Sequence, residues 1–327
     1  MSSIKAVTFT QHSADLLAAR VWGLNWNHNG RFLVTVGEDR TVKIWKYADD
    51  KLSLLQKISG DQNRTIRYAH FSHCGRFLAV GSWDATIVIY EINESNEFEE
   101  KHRLEGHENE VKCVQFSNNG QWLATCSRDK TVWLWQVDED GDYEVVSILQ
   151  KHSADVKFVL WNPVYELLVS GGYDNSLRMY YYDDEDWVTA DEVEAAHDSA
   201  VWSGDFDSTG KYLVTAGADH NLKVWEVTSP EPPSAARLNK VASYEARDTV
   251  WPFYSVSWDH LTNLIAVAGG DQKVRIFSFD AESLAITPVT DTKLDAEINA
   301  IAWNPASADT IAAALDDGTV QILRVSA

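Results

Sequence analysis

The chain has 327 residues, with 28 Lys and Arg against 49 Asp and Glu, so its formal net charge is -21 at pH 7. This acidic balance argues against a duplex nucleic acid partner, because phosphate binding needs an extended basic surface. No apolar run approaches the length of a membrane span, and no basic segment precedes an apolar one at the N-terminus. We therefore expect neither membrane insertion nor secretion.

The cysteines give no sign of a disulfide framework or a metal site. Cys74, Cys113 and Cys126 are odd in number and form no Cys-x-x-Cys pair. Three thiols in that arrangement favour buried free cysteines. We expect no cofactor and no bound metal.

The predicted elements begin with a strand at residues 6–10 (AVTFT), and a unit of about 45 residues then recurs seven times. An aromatic residue ends the first strand of each unit: Trp26, Phe71, Phe116, Trp161, Phe206, Trp258 and Trp303. A turn aspartate recurs with the same period: Asp39, Asp84, Asp129, Asp174, Asp219, Asp271 and Asp317. Most of these aspartates are followed six residues later by an aromatic residue, as in Trp45, Tyr90 and Trp135.

This repeat is typical of WD repeats and predicts an all-β, seven-bladed β-propeller with four strands per blade. The last unit reaches residue 327 only a few residues past its third strand. We therefore expect the strand at 6–10 to complete the last blade and close the ring, which removes an exposed sheet edge. The whole chain, 1–327, is then a single propeller.

Unit three, residues 104–137, is the most complete copy, with predicted strands at 111–116, 122–126 and 131–135. Units three to five share a His, a Ser or Thr, and an Asp at fixed spacing, which invites comparison with a catalytic triad. Because one active site does not occur three times at identical spacing, we interpret these residues as a buried hydrogen-bond network in each blade and expect no enzymatic activity. The network residues are His107, Thr125, Asp129 and Trp135; His152, Ser170, Asp174 and Tyr180; and His197, Thr215, Asp219 and Trp225. In the first unit His12 lies further upstream of Thr35, Asp39 and Trp45.

Two positions in each unit are not dictated by the repeat and project toward the propeller face that carries the turn aspartates, the second of them near the mouth of the central channel. One precedes the aspartate: Glu38, Trp83, Arg128, Tyr173, Ala218, Gly270 and Asp316. The other lies four residues before the strand-one aromatic residue: Trp22, Arg67, Lys112, Lys157, Trp202, Tyr254 and Asn299.

Six of the seven residues in the second set are aromatic or basic, in a protein where acids outnumber bases. We predict a partner-binding surface made of Arg67, Lys112, Arg128, Lys157, Trp83, Tyr173 and Trp202. Such a surface suits a ligand with carboxylates and an aromatic ring. The alternative is that the bases are solvated or pair with Glu110 and Asp155.

Two acidic stretches, 138–144 (DEDGDYE) and 183–187 (DDEDW), fall after third strands. They indicate hairpins with solvated edges that resist strand pairing. A basic partner docking on blades three and four is the alternative.

Four segments resemble a known family: LEGHENEVK (104–112), LATCSRDKTVWLWQVDE (123–139), HSADVKFVLWNP (152–163) and DDEDW (183–187). They resemble the WD-repeat subunit of the cytosolic iron-sulfur protein assembly (CIA) targeting complex. The resemblance implies a non-enzymatic adaptor in the cytoplasm and nucleus that helps to deliver clusters to apoproteins. It also implies four kinds of partner: a small MIP-type subunit, a HEAT-repeat adaptor, a hydrogenase-like iron-sulfur carrier, and iron-sulfur apoprotein clients.

The same family recognises C-terminal tails that end in an aromatic residue preceded by an acidic one, and Arg128 matches its exposed arginine. A substrate receptor of a ubiquitin ligase or a chromatin-associated interaction module remains the alternative, since propellers commonly serve those roles.

Overall fold

The computed structural model describes residues 3–12, 19–60, 62–138 and 140–326. Within these ranges, 28 strands form seven four-stranded antiparallel sheets, which are the blades of a propeller. The predicted all-β propeller is therefore confirmed. The described part of the chain also contains one 3-10 turn at Pro233–Ala235, and none of its residues forms a helix long and apolar enough to cross a membrane.

The first four blades follow the chain in order. Blade 1 contains β2 (Val21–Trp26), β3 (Phe32–Gly37), β4 (Thr41–Ala48) and β5 (Lys51–Ser59). Blade 2 contains β6 (Ile66–Phe71), β7 (Phe77–Ser82), β8 (Ile87–Ile92) and β9 (Phe98–Leu104). Blade 3 contains β10 (Val111–Phe116), β11 (Trp122–Ser127), β12 (Val132–Val137) and β13 (Tyr143–Leu149). Blade 4 contains β14 (Val156–Trp161), β15 (Leu167–Gly172), β16 (Leu177–Tyr182) and β17 (Trp187–Val193).

The last blade combines the two ends of the chain. Blade 5 contains β18 (Val201–Phe206), β19 (Tyr212–Gly217), β20 (Asn221–Thr228) and β21 (Arg237–Glu245). Blade 6 contains β22 (Phe253–Trp258), β23 (Leu264–Gly269), β24 (Lys273–Asp280) and β25 (Ala285–Lys293). Blade 7 contains β26 (Ile298–Trp303), β27 (Thr310–Leu315), β28 (Thr319–Ser326) and β1 (Ser3–Gln11). Strand β1 pairs antiparallel with β28, so the predicted closure of the ring by the N-terminal strand is confirmed.

The innermost strands line a central channel. Each packs against the innermost strand of the blades on either side, from β2 round to β26 and back to β2. The hydrophobic core lies between adjacent blades, where apolar side chains of neighbouring sheets meet. Because the inner sheets are covered on both faces, second strands such as β11 and β15 are buried along their whole length.

Every outer strand contains a register shift opposite the third strand of its blade. The extra residue bends the strand and interrupts the regular edge. This device limits edge-to-edge pairing between molecules, since a flat edge would present a row of unpaired backbone groups.

The cysteines depart in part from the sequence prediction. Cys113 and Cys126 are buried, as predicted, and stand directly opposite each other on β10 and β11. Cys74 is exposed, so the prediction of a buried thiol is wrong there. It lies in the turn between β6 and β7, where the chain meets solvent.

Candidate functional site

The His–hydroxyl–Asp groups of blades three to five form buried networks. In blade 3 the ring of His107 lies 2.7 Å from Asp129 Oδ2 and 2.9 Å from Thr125 Oγ1, and the indole of Trp135 donates to the same hydroxyl at 3.1 Å. The corresponding distances from His152 are 2.8 Å to Asp174 and 2.7 Å to Ser170. In blade 5 the ring of His197 lies 2.9 Å from Asp219 and 2.8 Å from Thr215. The indole of Trp225 donates to that threonine at 2.9 Å.

These hydroxyls have no room for a substrate. Thr125, Ser170 and Thr215 are all completely buried, and each already contacts a histidine ring and an aromatic partner from the same blade. Burial opposes ionisation of Asp129, but the hydrogen bond and charge of His107 outweigh it and lower the pKa of this carboxyl to about 2. A buried group that is already paired in this way stabilises the blade.

Blade 1 builds the same network from a different spacing. His12 lies 2.7 Å from Thr35 Oγ1 and 3.2 Å from Asp39 Oδ1, and Trp45 donates to Thr35 at 2.8 Å. Sequence spacing alone left His12 out of register. In the structure His12 directly follows β1, which closes the ring beside blade 1, and this places the histidine within the network of that blade.

A β-bulge explains why one residue in each blade points into the channel mouth. In blade 3, Val111 pairs with Ser127 and Cys113 pairs with Cys126, so Lys112 between them has no partner in the ladder. The same register shift leaves out the equivalent residue of every other blade: Trp22, Arg67, Lys157, Trp202, Tyr254 and Asn299. A bulge re-aims the side chain that it carries.

A backbone hydrogen bond positions the second set of residues. The amide of Arg128 donates to the carbonyl of Glu110 at 2.9 Å, and the amide of Tyr173 donates to that of Asp155 at 2.9 Å. The amide of Trp83 donates to Thr65 at 2.9 Å. The residue before each turn aspartate is thus held beside the entrance of the first strand.

The seven residues predicted to bind a partner all lie at this mouth, together with residues that sequence reasoning did not select. The structure adds Trp22, Arg64 and Tyr254 to the surface, and it places Glu110 and Asp155 among the cations. We call the combined set the mouth cluster: Trp22, Arg64, Arg67, Trp83, Glu110, Lys112, Arg128, Asp155, Lys157, Tyr173, Trp202 and Tyr254. No repeat pattern marks Arg64, whereas Trp22 and Tyr254 occupy the bulge position and could have been selected from it.

One side of the mouth cluster pairs two tryptophans with two cations. The rings of Trp22 and Trp83 have centroids 5.7 Å apart. The guanidinium of Arg67 lies 5.7 Å from the Trp22 ring and donates to the Trp22 carbonyl at 2.7 Å. The ammonium of Lys112 lies 5.0 Å from the Trp83 ring.

The other side surrounds Lys157 with aromatic rings. Its ammonium lies 4.0 Å from the Trp202 centroid and 4.4 Å from that of Tyr173. Tyr254 extends this group, with its ring 5.1 Å from Trp202. Burial, together with the nearby charges of Arg67 and Lys112, lowers the pKa of Lys157 to about 7.

Glu110 is the principal counter-ion of the mouth cluster. It contacts Lys112, and its carboxylate lies 3.3 Å from Arg64 and 3.4 Å from Arg128, whose side chain is 53% exposed. Asp155 lies 3.9 Å from Arg128. The alternative in which the bases pair with these acids therefore applies to Lys112 and Arg128.

A positive surplus remains after this pairing. Among the described residues, neither Arg67 nor Lys157 has a carboxylate within ion-pair distance. The indole N–H groups of Trp22, Trp83 and Trp202 are also buried without an acceptor in the described part of the chain. Donors and cations thus outnumber acceptors at the mouth, which favours an anionic ligand over a cationic one.

The mouth is asymmetric. In blade 7 the amide of Asn299 donates to Asp316 at 3.2 Å, and Arg20 lies 3.1 Å from the same carboxylate, so the charges there are already paired. In blades 5 and 6 the small Ala218 and Gly270 replace the large residues found in blades 2 to 4. At Gly270 the side chains of Trp251 and Tyr254 lie close to the backbone, so the mouth is narrower there than the small residue suggests.

Comparison with known proteins agrees with this architecture. The sequence model of the family described as WD domain, G-beta repeat (WD40) matches residues 4–46, 52–91, 98–136, 143–180 and 192–226, which is more than half of the chain.

Two relatives carry names from iron-sulfur protein assembly. A probable cytosolic iron-sulfur protein assembly protein CIAO1 homolog from Caenorhabditis elegans is 41% identical over 89 residues, covering 25% of this chain and 26% of that protein. A probable cytosolic iron-sulfur protein assembly protein Ciao1 from Drosophila mojavensis is 36% identical over 78 residues, covering 22% of this chain and 24% of that protein. The matches span about a quarter of each relative. The repeat period, the seven closed blades and the matched repeats together place this chain in the WD40-repeat family.

Proposed function

We propose that this protein is a non-enzymatic scaffold of cytosolic iron-sulfur protein assembly. The names of the two relatives and the WD repeats support this role. As the CIA resemblance implies, its partners are a small MIP-type subunit, a HEAT-repeat adaptor, a hydrogenase-like carrier and apoprotein clients, in the cytoplasm and the nucleus. Affinity purification of the tagged protein should recover iron-sulfur assembly proteins. Recovery of cullin adaptors or histones instead would contradict the proposal.

The mouth cluster binds C-terminal tails that end in an aromatic residue preceded by an acidic one. The observation that carries this assignment is the pair of cations, Arg67 and Lys157, that lie against aromatic rings without a carboxylate partner. A C-terminal carboxylate and an acidic side chain supply the missing anions. The aromatic side chain packs on Trp202 and Tyr254, and Arg128 at the rim can grip a carboxylate with two parallel hydrogen bonds.

Arg128→Glu tests the docking site directly. The guanidinium is exposed, and in the described part of the chain its ion-pair partners are Glu110 and Asp155, so reversing its charge removes an attraction and adds a repulsion without disturbing the core. A fluorescent peptide ending in Asp-Trp with a free carboxylate should bind the wild-type protein and lose binding to this variant, while the unfolding temperature stays nearly unchanged.

A matched control separates the site from net charge. Arg247→Glu makes the same charge change at an arginine that is 87% exposed and that lies outside the mouth cluster. This variant should bind the peptide like the wild type. Wild-type binding by Arg128→Glu, or equal losses in both variants, would contradict the docking site.

A further inference from the structure

Strand β13 presents an apolar edge that the proposed tail-binding site does not use. It is the outer strand of blade 3 and hydrogen-bonds to β12 on one side. Val145 and Val146 are each 37% exposed and Ile148 is 44% exposed. Exposed β-branched residues on an outer strand form a template for another strand, because the backbone groups on the open side lack ladder partners.

All outer strands, including β13, share the register shift, but three of them also carry charged residues or a proline that the segment after Glu144 in β13 lacks. Strand β9 (FEEKHRL) carries charged residues in its middle, β17 (WVTADEV) contains an Asp and a Glu, and β25 (AITPVTDTK) contains a proline. In β13 (YEVVSIL) no charge or proline follows Glu144. Strand β5 has exposed Leu54 and Leu55, but Lys51 and Lys57 flank the segment that contains them. Charged residues and prolines are the usual means of blunting a sheet edge.

One acidic hairpin lies at the end of this edge, and a second lies on the adjacent blade. The hairpin at 138–142, of which Glu139 lies outside the described residues, connects β12 to β13, and the hairpin at 183–186 connects β16 to β17 on the adjacent blade. Equivalent connections of neighbouring blades lie on the same face of a propeller. In the described part of these hairpins, the basic partner within ion-pair distance is His102, 3.3 Å from Asp142. Lys101 also donates to the carbonyl of Asp140 at 3.0 Å, and the other described carboxylates of the hairpins have no ion-pair partner.

We propose that the edge of β13 binds an extended segment of a partner protein that adds a fifth, antiparallel strand to blade 3. Antiparallel pairing places the C-terminal end of that segment beside the acidic hairpins, so the segment has β-branched residues along its length and Lys or Arg at that end. Backbone pairing supplies affinity and the hairpins select the basic end. A second copy of this chain is a poor occupant, since it brings the same hairpins and a net charge of -21.

A designed peptide serves as the probe, because the natural segment is unidentified. Its sequence is Thr-Val-Thr-Val-Thr-Val-Lys-Arg-Lys, with a fluorophore at the N-terminus and an amidated C-terminus. Fluorescence anisotropy should show saturable binding to the wild-type protein that weakens as salt is added. Val146→Lys should raise the dissociation constant by at least about tenfold, because it places a like charge on the edge and removes an apolar contact.

Three controls make the result specific. Leu55→Lys introduces the same charge at the equivalent bulge position of β5, where the leucine is 53% exposed, and should leave binding unchanged. A peptide with Glu-Asp-Glu at its C-terminal end should not bind. A peptide that is N-methylated at alternate residues keeps its side chains but loses backbone donors, and it should also fail to bind. Unchanged binding to Val146→Lys, an equal loss in Leu55→Lys, or undiminished binding of either control peptide would overturn the proposal.

Two further measurements address a variant that fails to fold and a second copy of the chain as the occupant. If Val146→Lys does not fold, the double variant Asp140→Asn, Asp142→Asn takes its place; it should bind more weakly than the wild type, and unchanged affinity would overturn the proposal. Sedimentation velocity tests the second copy as occupant: a dimer that Val146→Lys dissociates would overturn the assignment to a partner segment. Arg128→Glu should bind this probe normally, which keeps the result independent of the tail-binding site.

Discussion

Lys157 should make tail binding depend on pH. Its ammonium lies between the rings of Tyr173 and Trp202, and burial with the charges of Arg67 and Lys112 holds its pKa at about 7. The charge of Asp155 and, to a smaller extent, the Cys126 thiol oppose this shift. A tail carboxylate attracts the charged form of the lysine, so binding should tighten as the pH falls.

The magnitude follows from the fraction of Lys157 that is already protonated before the ligand arrives. With a pKa of about 7, that fraction falls from about 90% at pH 6 to about 1% at pH 9. If the bound lysine stays charged throughout, the apparent dissociation constant rises by up to about ninetyfold over this range, which corresponds to about 2.7 kcal/mol. The carboxylates of the peptide are ionised at every pH in the series and contribute no change.

Anisotropy titrations of the Asp-Trp peptide from pH 6 to pH 9 measure this effect. Lys157→Arg keeps the positive charge at every pH, so its binding should be nearly independent of pH. Lys157→Met should bind weakly throughout. A wild-type affinity that does not change with pH, or the same pH dependence in Lys157→Arg, would refute the assignment.

The same lysine should affect stability with a defined sign. Its folded-state pKa lies below the ordinary value of 10.5, so the unfolded chain binds more protons between about pH 7 and pH 10.5. The free energy of unfolding of the wild type should gain a contribution from Lys157 that rises with pH across this window. Lys157→Met should lose that contribution, which urea unfolding at several pH values can measure.

Other predictions concern the framework. His107→Ala should lower the free energy of unfolding by about 2–4 kcal/mol, because it leaves a buried hydroxyl and a carboxylate without their partner, and urea unfolding measures the loss. Deleting β1 should lower the unfolding temperature, because the last blade loses its outer strand; an unchanged melting curve would contradict the role of β1 in closing the ring. Alkylation of the native protein followed by mass spectrometry should modify Cys74 alone, since Cys113 and Cys126 are buried and burial raises the pKa of both thiols. Rapid labelling of either buried thiol would contradict this expectation.

The repeat period was enough to predict the blades and the direction in which the variable residues point. It could do so because a propeller places the same position of each unit at the same height around one channel. The bulge that aims Lys112 and its equivalents is not visible in the sequence, since it depends on how the first two strands pair. The period nevertheless locates the bulge residue, because that residue keeps a constant distance from the strand-one aromatic residue.

The sequence did not allow contacts between neighbouring blades to be predicted. Glu110 forms ion pairs with Arg64, which precedes blade 2, and with Lys112 and Arg128 of its own blade. The repeat pattern does not identify Arg64. Trp22 was visible at the bulge position, but its contact with Trp83 appears only once blades 1 and 2 are side by side. Sequence periodicity identifies the residues that recur in every blade. The charge balance of the mouth depends on residues that differ from one blade to the next.

The adjacent residues Arg128 and Asp129 show why framework and surface can be tested separately. The side chain of Arg128 is 53% exposed, whereas that of Asp129 is 8% exposed and bound to His107. The lowered pKa of Asp129, about 2, stabilises the fold above the ordinary carboxyl pKa of 3.8, and this contribution is lost as the pH falls through about 2. Arg128→Glu should therefore weaken peptide binding and leave the free energy of unfolding unchanged. Asp129→Ala should mainly lower the free energy of unfolding. A stable Asp129→Ala variant, measured by urea unfolding at pH 7, would mean that the buried network does not hold the blade together.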